Sequence, residues 1–201
     1  MLRKISMTVA ALCLSAPALA VTTEQLEVLG VHLADDLKTS EARLLAQGFK
    51  RGSNSIFSCA TTYQKRMAEL VKAGRERFLP TEIMCVKNFV KGTDRVQVDY
   101  LLAPRGFVVS GLDYSFRSTE ASAQIEDRLA KKFGAPSDRV LGNPTWYANR
   151  RAAMQMANLQ YLGRNGLHNL LMRGGSVMSD TFADEIRKDL KRRMPAMRAN
   201  L

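Results

Sequence analysis

The stretch IMCVKNFVKGTDRVQVDYLLAPRGFVVSGLDYSF, residues 83–116, decides the fold. Within it Val96, Val98 and Tyr100 alternate with Gln97 and Asp99, the two-residue period of a strand with one buried face. Residues 83–90 form a strand before it, and Val108, Ser110, Leu112, Tyr114 and Phe116 belong to a third. Lys91-Gly92-Thr93-Asp94 and Pro104-Arg105-Gly106 are short connections, and short connections join antiparallel strands.

Helical signals lie upstream of this meander. Asp36 reads as an N-cap, Leu37 opens a helix and Gly48 ends it, with Leu37, Leu44 and Leu45 on the apolar side. A polar stretch from Arg51 to Ser55 breaks the pattern. Tyr63, Met67, Leu70, Val71 and Phe78 then recur at helical spacing, which predicts a second amphipathic helix over 59–77, stopped before Pro80. Downstream, Ser118 is the expected cap of a third helix. Its stripe is Ala121, Ile125, Leu129 and Phe133, and Gly134 and Pro136 end it. A second meander follows at 139–148, 153–162 and 167–173, with Asn165-Gly166 favouring a two-residue hairpin turn. Phe182, Ile186, Leu190 and Met194 stripe a C-terminal amphipathic helix that should stop at Pro195.

The expected fold is therefore α+β. An antiparallel sheet comes from two three-stranded meanders, each preceded by helix, plus the C-terminal helix. The chain has 201 residues, which allows one domain or two very small ones at roughly 100–200 residues per domain. Residues 21–201 are read as a single domain, with two loosely repeated helix-meander halves at 30–116 and 118–195. At 46% hydrophobic and 24% charged the composition excludes wholesale disorder. No apolar run approaches the roughly 20 residues of a membrane-spanning helix.

Residues 1–20, MLRKISMTVAALCLSAPALA, read as an export signal. Arg3 and Lys4 are the positive region, residues 5–16 the apolar core, and Ala18-Leu19-Ala20 the cleavage site. A buried N-terminal helix is the other reading, and Pro17 argues against it. Cleavage after Ala20 places the protein in the periplasm or outside the cell. It also removes two of 30 basic residues and no acidic one, leaving 28 against 19, a formal +9. Cys13 leaves with the signal. Cys59 and Cys85 then remain in an oxidising compartment, most simply as a disulfide, the alternative being two buried thiols.

The basic excess is concentrated in Arg187, Lys188, Lys191, Arg192, Arg193 and Arg198, opposed locally by Asp189. A basic amphipathic helix can lie on an anionic lipid surface; equally, its apolar stripe can dock on the sheet with the charges solvated. Nucleic acid is not an expected partner of an exported chain with no recognised binding module. No G-x-S-x-G, H-E-x-x-H, G-x-x-x-x-G-K-[ST] or G-x-G-x-x-G occurs, so no catalytic, cofactor or metal residue is assigned. His32 and His168 are isolated in the sequence. Asp99 and Asp113 sit in neighbouring strands, where acid–base work would need one environment to raise a pKa. Trp146-Tyr147 reads either as core or as a ligand stack.

Gly30-Val-His-Leu-Ala34, followed by the helix to residue 47 and Gly48-Phe49, resembles the opening of small bacterial envelope proteins. In those, G-x-x-L-G-M-[ST] leads into a helix ending in G-[FY]. Lys131-Lys-Phe-Gly-Ala-Pro-Ser137 resembles their second signature, K-[YF]-G-x-P-[ST], followed by a strand bearing a tryptophan, here Trp146. The opening is also similar to the helix-then-meander unit of small outer-membrane-assembly lipoproteins and of the β-lactamase-inhibitor-like fold. Two positions depart: Ala34 replaces the second glycine, and Asp35-Asp36 replaces Met-[Ser/Thr], keeping the N-cap chemistry. The resemblance implies a periplasmic α+β scaffold and carries no catalytic residue across. The expected function is that of a non-enzymatic envelope protein binding a protein partner or an anionic surface. A hydrolase with a spatially assembled site and an inhibitor protein are the alternatives.

Overall fold

The computed structural model describes residues 22–52, 59–75, 84–148 and 156–199. The expected signal at 1–20 and the start of the strand expected at 153 lie outside the described residues. The protein is α+β, with four α-helices and an antiparallel sheet among the described residues.

Strands β4 (Met84–Lys91), β5 (Asp94–Ala103) and β6 (Gly106–Arg117) are the meander read from residues 83–116. The N-terminal part comprises a 3-10 turn at Thr23–Gln25, a hairpin of β1 (Glu27–Val28) and β2 (Val31–His32), α1 (Leu37–Ala46), β3 (Lys50–Arg51) and α2 (Tyr63–Lys72). After β6 come α3 (Ser122–Phe133), β7 (Asp138–Val140), β8 (Asn143–Tyr147), β9 (Asn158–Arg164), β10 (Leu167–Arg173) and α4 (Gly175–Ala199).

The expectation of two three-stranded meanders is corrected: eight strands form one sheet, in the order β3, β4, β5, β6, β10, β9, β8, β7. Strand β10 pairs antiparallel with β6, setting Met172 opposite Leu112 and His168 opposite Phe116, so the two meanders share one ladder. The segment 139–148 is not one strand. Leu141 (φ 52°) and Gly142 (φ 80°) make a two-residue turn that splits it into β7 and β8. Leu141 is 96% exposed, so its strained backbone costs no packing.

Smaller corrections follow the same local physics. Helix α2 starts later than residue 59, because the Thr62 hydroxyl accepts the Lys65 N–H at 3.2 Å and caps it there. Helix α3 is preceded by Ala121 rather than capped by Ser118, whose N–H is tied to the Gly166 carbonyl at 3.1 Å. Helix α4 runs through Pro195 instead of stopping there; the ring removes one N–H four residues beyond Lys191. In α1 the Asp36 cap stands, its carboxylate accepting the Thr39 N–H at 2.9 Å. Leu45 points outward, however, and Ser40 and Glu41 are buried with Leu44.

Register gives the sheet two unlike faces. Across the ladders, Lys87, Val98, Leu112, Met172, Leu159 and Trp146 lie in one row on one face. All but Lys87 in that row are essentially fully buried, and each such apolar side chain contributes about 1.5–3 kcal/mol. Helices α1 and α3 lie over this face. The Ser40 hydroxyl in α1 hydrogen-bonds the Tyr100 hydroxyl at 3.0 Å, and the Trp146 indole N–H donates to the Gly134 carbonyl at the end of α3 at 2.8 Å. Helices α2 and α4 pack on each other, and α4 also meets β5. The Cys59–Cys85 disulfide, with α-carbons 5.2 Å apart, ties the approach to α2 onto β4.

Candidate functional site

Alternation sends the intervening residues to the face opposite α1 and α3. One row there is Asn88, Gln97, Asp113, Leu171, Gln160, Thr145 and Asp138, reading across seven strands. The next is Val86, Asp99, Gly111, Arg173, Asn158 and Tyr147. A third carries Arg95, Ser115, Asn169 and Leu162. Where the covered face holds Val, Leu, Met and Trp, this face is mostly amides, carboxylates, hydroxyls and guanidinium groups, with Val86, Leu162 and Leu171 among them.

These polar groups are mostly half-buried and bonded to one another. The Ser115 hydroxyl donates to Asn169 Oδ1 at 2.5 Å, and the Gln97 amide donates to Asp99 Oδ1 at 3.0 Å. Arg173 pairs with Asp113. Burial works against the Arg173 charge, but Asp113, and behind it Asp99, outweigh it and raise the guanidinium's pKa above its ordinary value. A hollow of about 260 Å³ opens on this face, lined by Asn88, Gln97, Asp113, Ser115, Arg95, Phe89 and Val96. Amide side chains both donate and accept, so the surface can meet hydrogen-bonding groups of either kind.

The sequence-selected residues fall in several places. Cys59 and Cys85 form the disulfide. In α4 the apolar stripe is used internally: Phe182, Ala183 and Ile186 are buried, Leu190 partly so. Half of the basic run is paired within the helix. Arg187 pairs with Asp184 at 2.5 Å. Asp189, 6% exposed, accepts from both Arg192 (2.8 Å) and Arg193 (2.7 Å). The Tyr63 hydroxyl of α2 lies beside it, its pKa pushed up by burial and by that carboxylate. Lys188 and Lys191 are exposed with no acidic partner among the described residues. The Arg198 side chain lies outside the described residues.

Asp99 and Asp113 occupy diagonal positions on the open face, opposite Gly111 and Gln97. Arg173 and Gln97 hold them as ion-pair and hydrogen-bond acceptors, an arrangement that orients carboxylates without supplying a proton donor. His168 is buried, its Nδ1 bonded to the Tyr161 hydroxyl at 2.8 Å and its ring stacked on Phe116. His32 joins a second polar cluster between the β1–β2 hairpin, α1 and α3. Its Nε2 is 3.1 Å from Glu27, while Arg43 reaches His32 Nδ1 (2.9 Å), the Gly30 carbonyl (2.7 Å) and Asp35 (2.5 Å). Lys132 of α3 completes it on Glu27. That cluster clamps the hairpin to two helices. Trp146 is core, and Tyr147 is its half-buried neighbour on the open face.

The signature at 131–137 has a structural job: Gly134 turns at φ 82° and accepts the Trp146 indole, and Ser137 Oγ accepts the Tyr147 N–H at 3.2 Å. No family model, no curated protein and no solved structure matches this chain. Sequence reading found Gln97, Asp99 and Asp113 but not Asn169, Gln160 or Arg173. Period-two alternation marks a face within a strand; only cross-strand register aligns those faces.

Proposed function

We propose that the protein is an exported, non-enzymatic binding protein that engages a protein partner through the open face of its sheet. One observation carries this: on the side away from α1 and α3, Asn88, Gln97, Asp113 and Gln160 line up as polar side chains from four strands, with Leu171 between Asp113 and Gln160. Protein interfaces use about one hydrogen bond per 100–200 Å², and an amide-rich face supplies such bonds at every strand. Mounting them on strands fixes much of their freedom in advance, which lowers the entropy lost on binding. The resemblance to small envelope proteins with helix-then-meander halves supports the same reading. So does the disulfide, which fits an oxidising compartment. An inhibitor is the form of this function in which the partner is an enzyme. Among the described residues of α4, the anionic-surface reading draws support from exposed Lys188 and Lys191, while the apolar side of the helix is already buried within the protein.

The test is site-specific photo-cross-linking of the exported protein in its own cells. A photoreactive residue at Gln160, on the open face, should give an adduct of discrete mass. One at Asp127, exposed on α3, should not. Adducts at neither position, or at both equally, would end the sheet-face reading. Mass spectrometry of the same preparation should find a mature chain beginning at Val21.

A further inference from the structure

One corner of the open face holds three arginines. Arg95 of β5 stands opposite Ser115; Arg117, two residues further along β6, stands opposite Leu167; and Leu167 stands opposite Arg164. With strands about 4.8 Å apart, the α-carbons of Arg117 and Arg164 are about 10 Å apart across β10. All three arginines are exposed. Elsewhere the described arginine side chains of the sheet and helices are paired, among them Arg51 with Glu41, Arg128 with Glu120, Arg139 with Glu126 and Arg173 with Asp113. Arg95 donates only to the Gly92 and Asp94 carbonyls, and Arg117 and Arg164 have no acidic partner among the described residues. Arg95 also lines the hollow, beside Gln97 and Ser115. Of the three carboxylates on these rows, Asp99 and Asp113 are already engaged by Gln97 and Arg173, and Asp138 lies at the far edge on β7.

We propose that this corner receives an acidic segment of a partner protein, its Asp or Glu carboxylates on Arg95, Arg117 and Arg164 and an apolar side chain on Leu167. The proposal rests on the sheet-face reading and names the chemistry of the partner. Guanidinium groups take carboxylates in paired, directional hydrogen bonds, which makes three of them on a rigid ladder, without an acidic partner among the described residues, a carboxylate-reading surface. Leu167, 43% exposed between Arg117 and Arg164, offers an apolar contact inside the charged rim. The neighbouring amides and the Ser115 hydroxyl, already bonded within the face, keep further donor and acceptor positions that suit partner groups held at fixed positions. A polypeptide supplies them through its main chain, whereas a fluid lipid headgroup layer supplies charge alone.

The full mature protein is titrated with a fluorescein-labelled peptide of alternating glutamate and serine bearing one central leucine, and separately with phosphatidylglycerol vesicles. The triple variant Arg95→Gln, Arg117→Gln, Arg164→Gln should bind the peptide at least about tenfold more weakly, since three charge-assisted contacts are lost. A charge-matched control, Lys72→Gln, Lys188→Gln, Lys191→Gln, should lose less than about twofold, through the general field alone. Leu167→Glu, one substitution at an exposed position, should repeat the loss by repulsion and covers the case in which the triple variant misfolds. Equal weakening by the two triples would mean that only net charge matters, and would overturn the proposal. So would a corner triple that loses vesicle binding yet keeps the peptide. In cells, a Gln160 cross-link that persists undiminished in the corner triple keeps the sheet-face reading and rejects the acidic partner; no cross-link in the parent protein rejects both.

Discussion

Glu41 shows how one residue can join two elements by electrostatics. Its carboxylate is 9% exposed on α1, where Arg51 of β3 reaches it at 2.9 Å and Lys87 of β4 also contacts it. Burial alone would raise its pKa, but the two cations outweigh burial and hold it below the ordinary value. A depressed folded-state pKa means the unfolded chain binds the proton more readily. The contribution to stability is therefore full above the ordinary glutamate pKa of about 4.3 and lost as pH falls through the folded value. Glu41→Gln should cost about 1–3 kcal/mol at pH 7, with Lys87 left unpaired, and the difference from the parent should shrink toward zero as pH drops below about 4. Urea titrations of both proteins at pH 7, 5 and 3 measure it; a gap that stays constant with pH would refute the assignment. In the sequence this glutamate sits on a helix whose apolar side reads as Leu37, Leu44 and Leu45. Nothing local says that it turns inward, because both of its partners come from strands.

At the scale of elements, the disulfide and the helices divide the work of closing the sheet's ends. Cys59 and Cys85 lie 26 residues apart and fasten the approach to α2 onto β4. In the chain-entropy account, closing a loop of that length stabilises the fold by about 3–4 kcal/mol. Replacing both cysteines with serine should lower the unfolding free energy by about that amount, read from guanidinium denaturation of the unreduced proteins. Coincident midpoints would show that the link contributes nothing. Helix α4 has no acid in its first turn; Asp180, Asp184 and Glu185 come before its basic run. Asp184 and Asp189 hold Arg187, Arg192 and Arg193, three of the six residues of the C-terminal basic run, without any external partner.

For the whole molecule, the decisive contact is the pairing of β6 with β10. It sets Leu112 against Met172 and carries one apolar row from Val98 to Trp146 across the seam between the two halves. Met172 is fully buried in the middle of that row. Met172→Ala should cost about 2–5 kcal/mol through the cavity it leaves. The loss should appear in a single transition, with far-ultraviolet and near-ultraviolet signals superimposed, because neither half has a complete core alone. Two separated transitions would divide the molecule at that seam instead. From the sequence alone came the α+β class, the central meander, the Asp36 cap, the Asn165-Gly166 turn and the pairing of Cys59 with Cys85. Each depends on periodicity, on residue chemistry within a few positions, or on there being two cysteines to join. Tertiary structure alone decided that two meanders become one eight-stranded sheet, that Glu41 is inward, and that Asn88, Gln97, Asp113, Gln160 and Thr145 share a row. Those facts depend on register between strands up to dozens of residues apart, and register is set by how the two halves bury their apolar faces together.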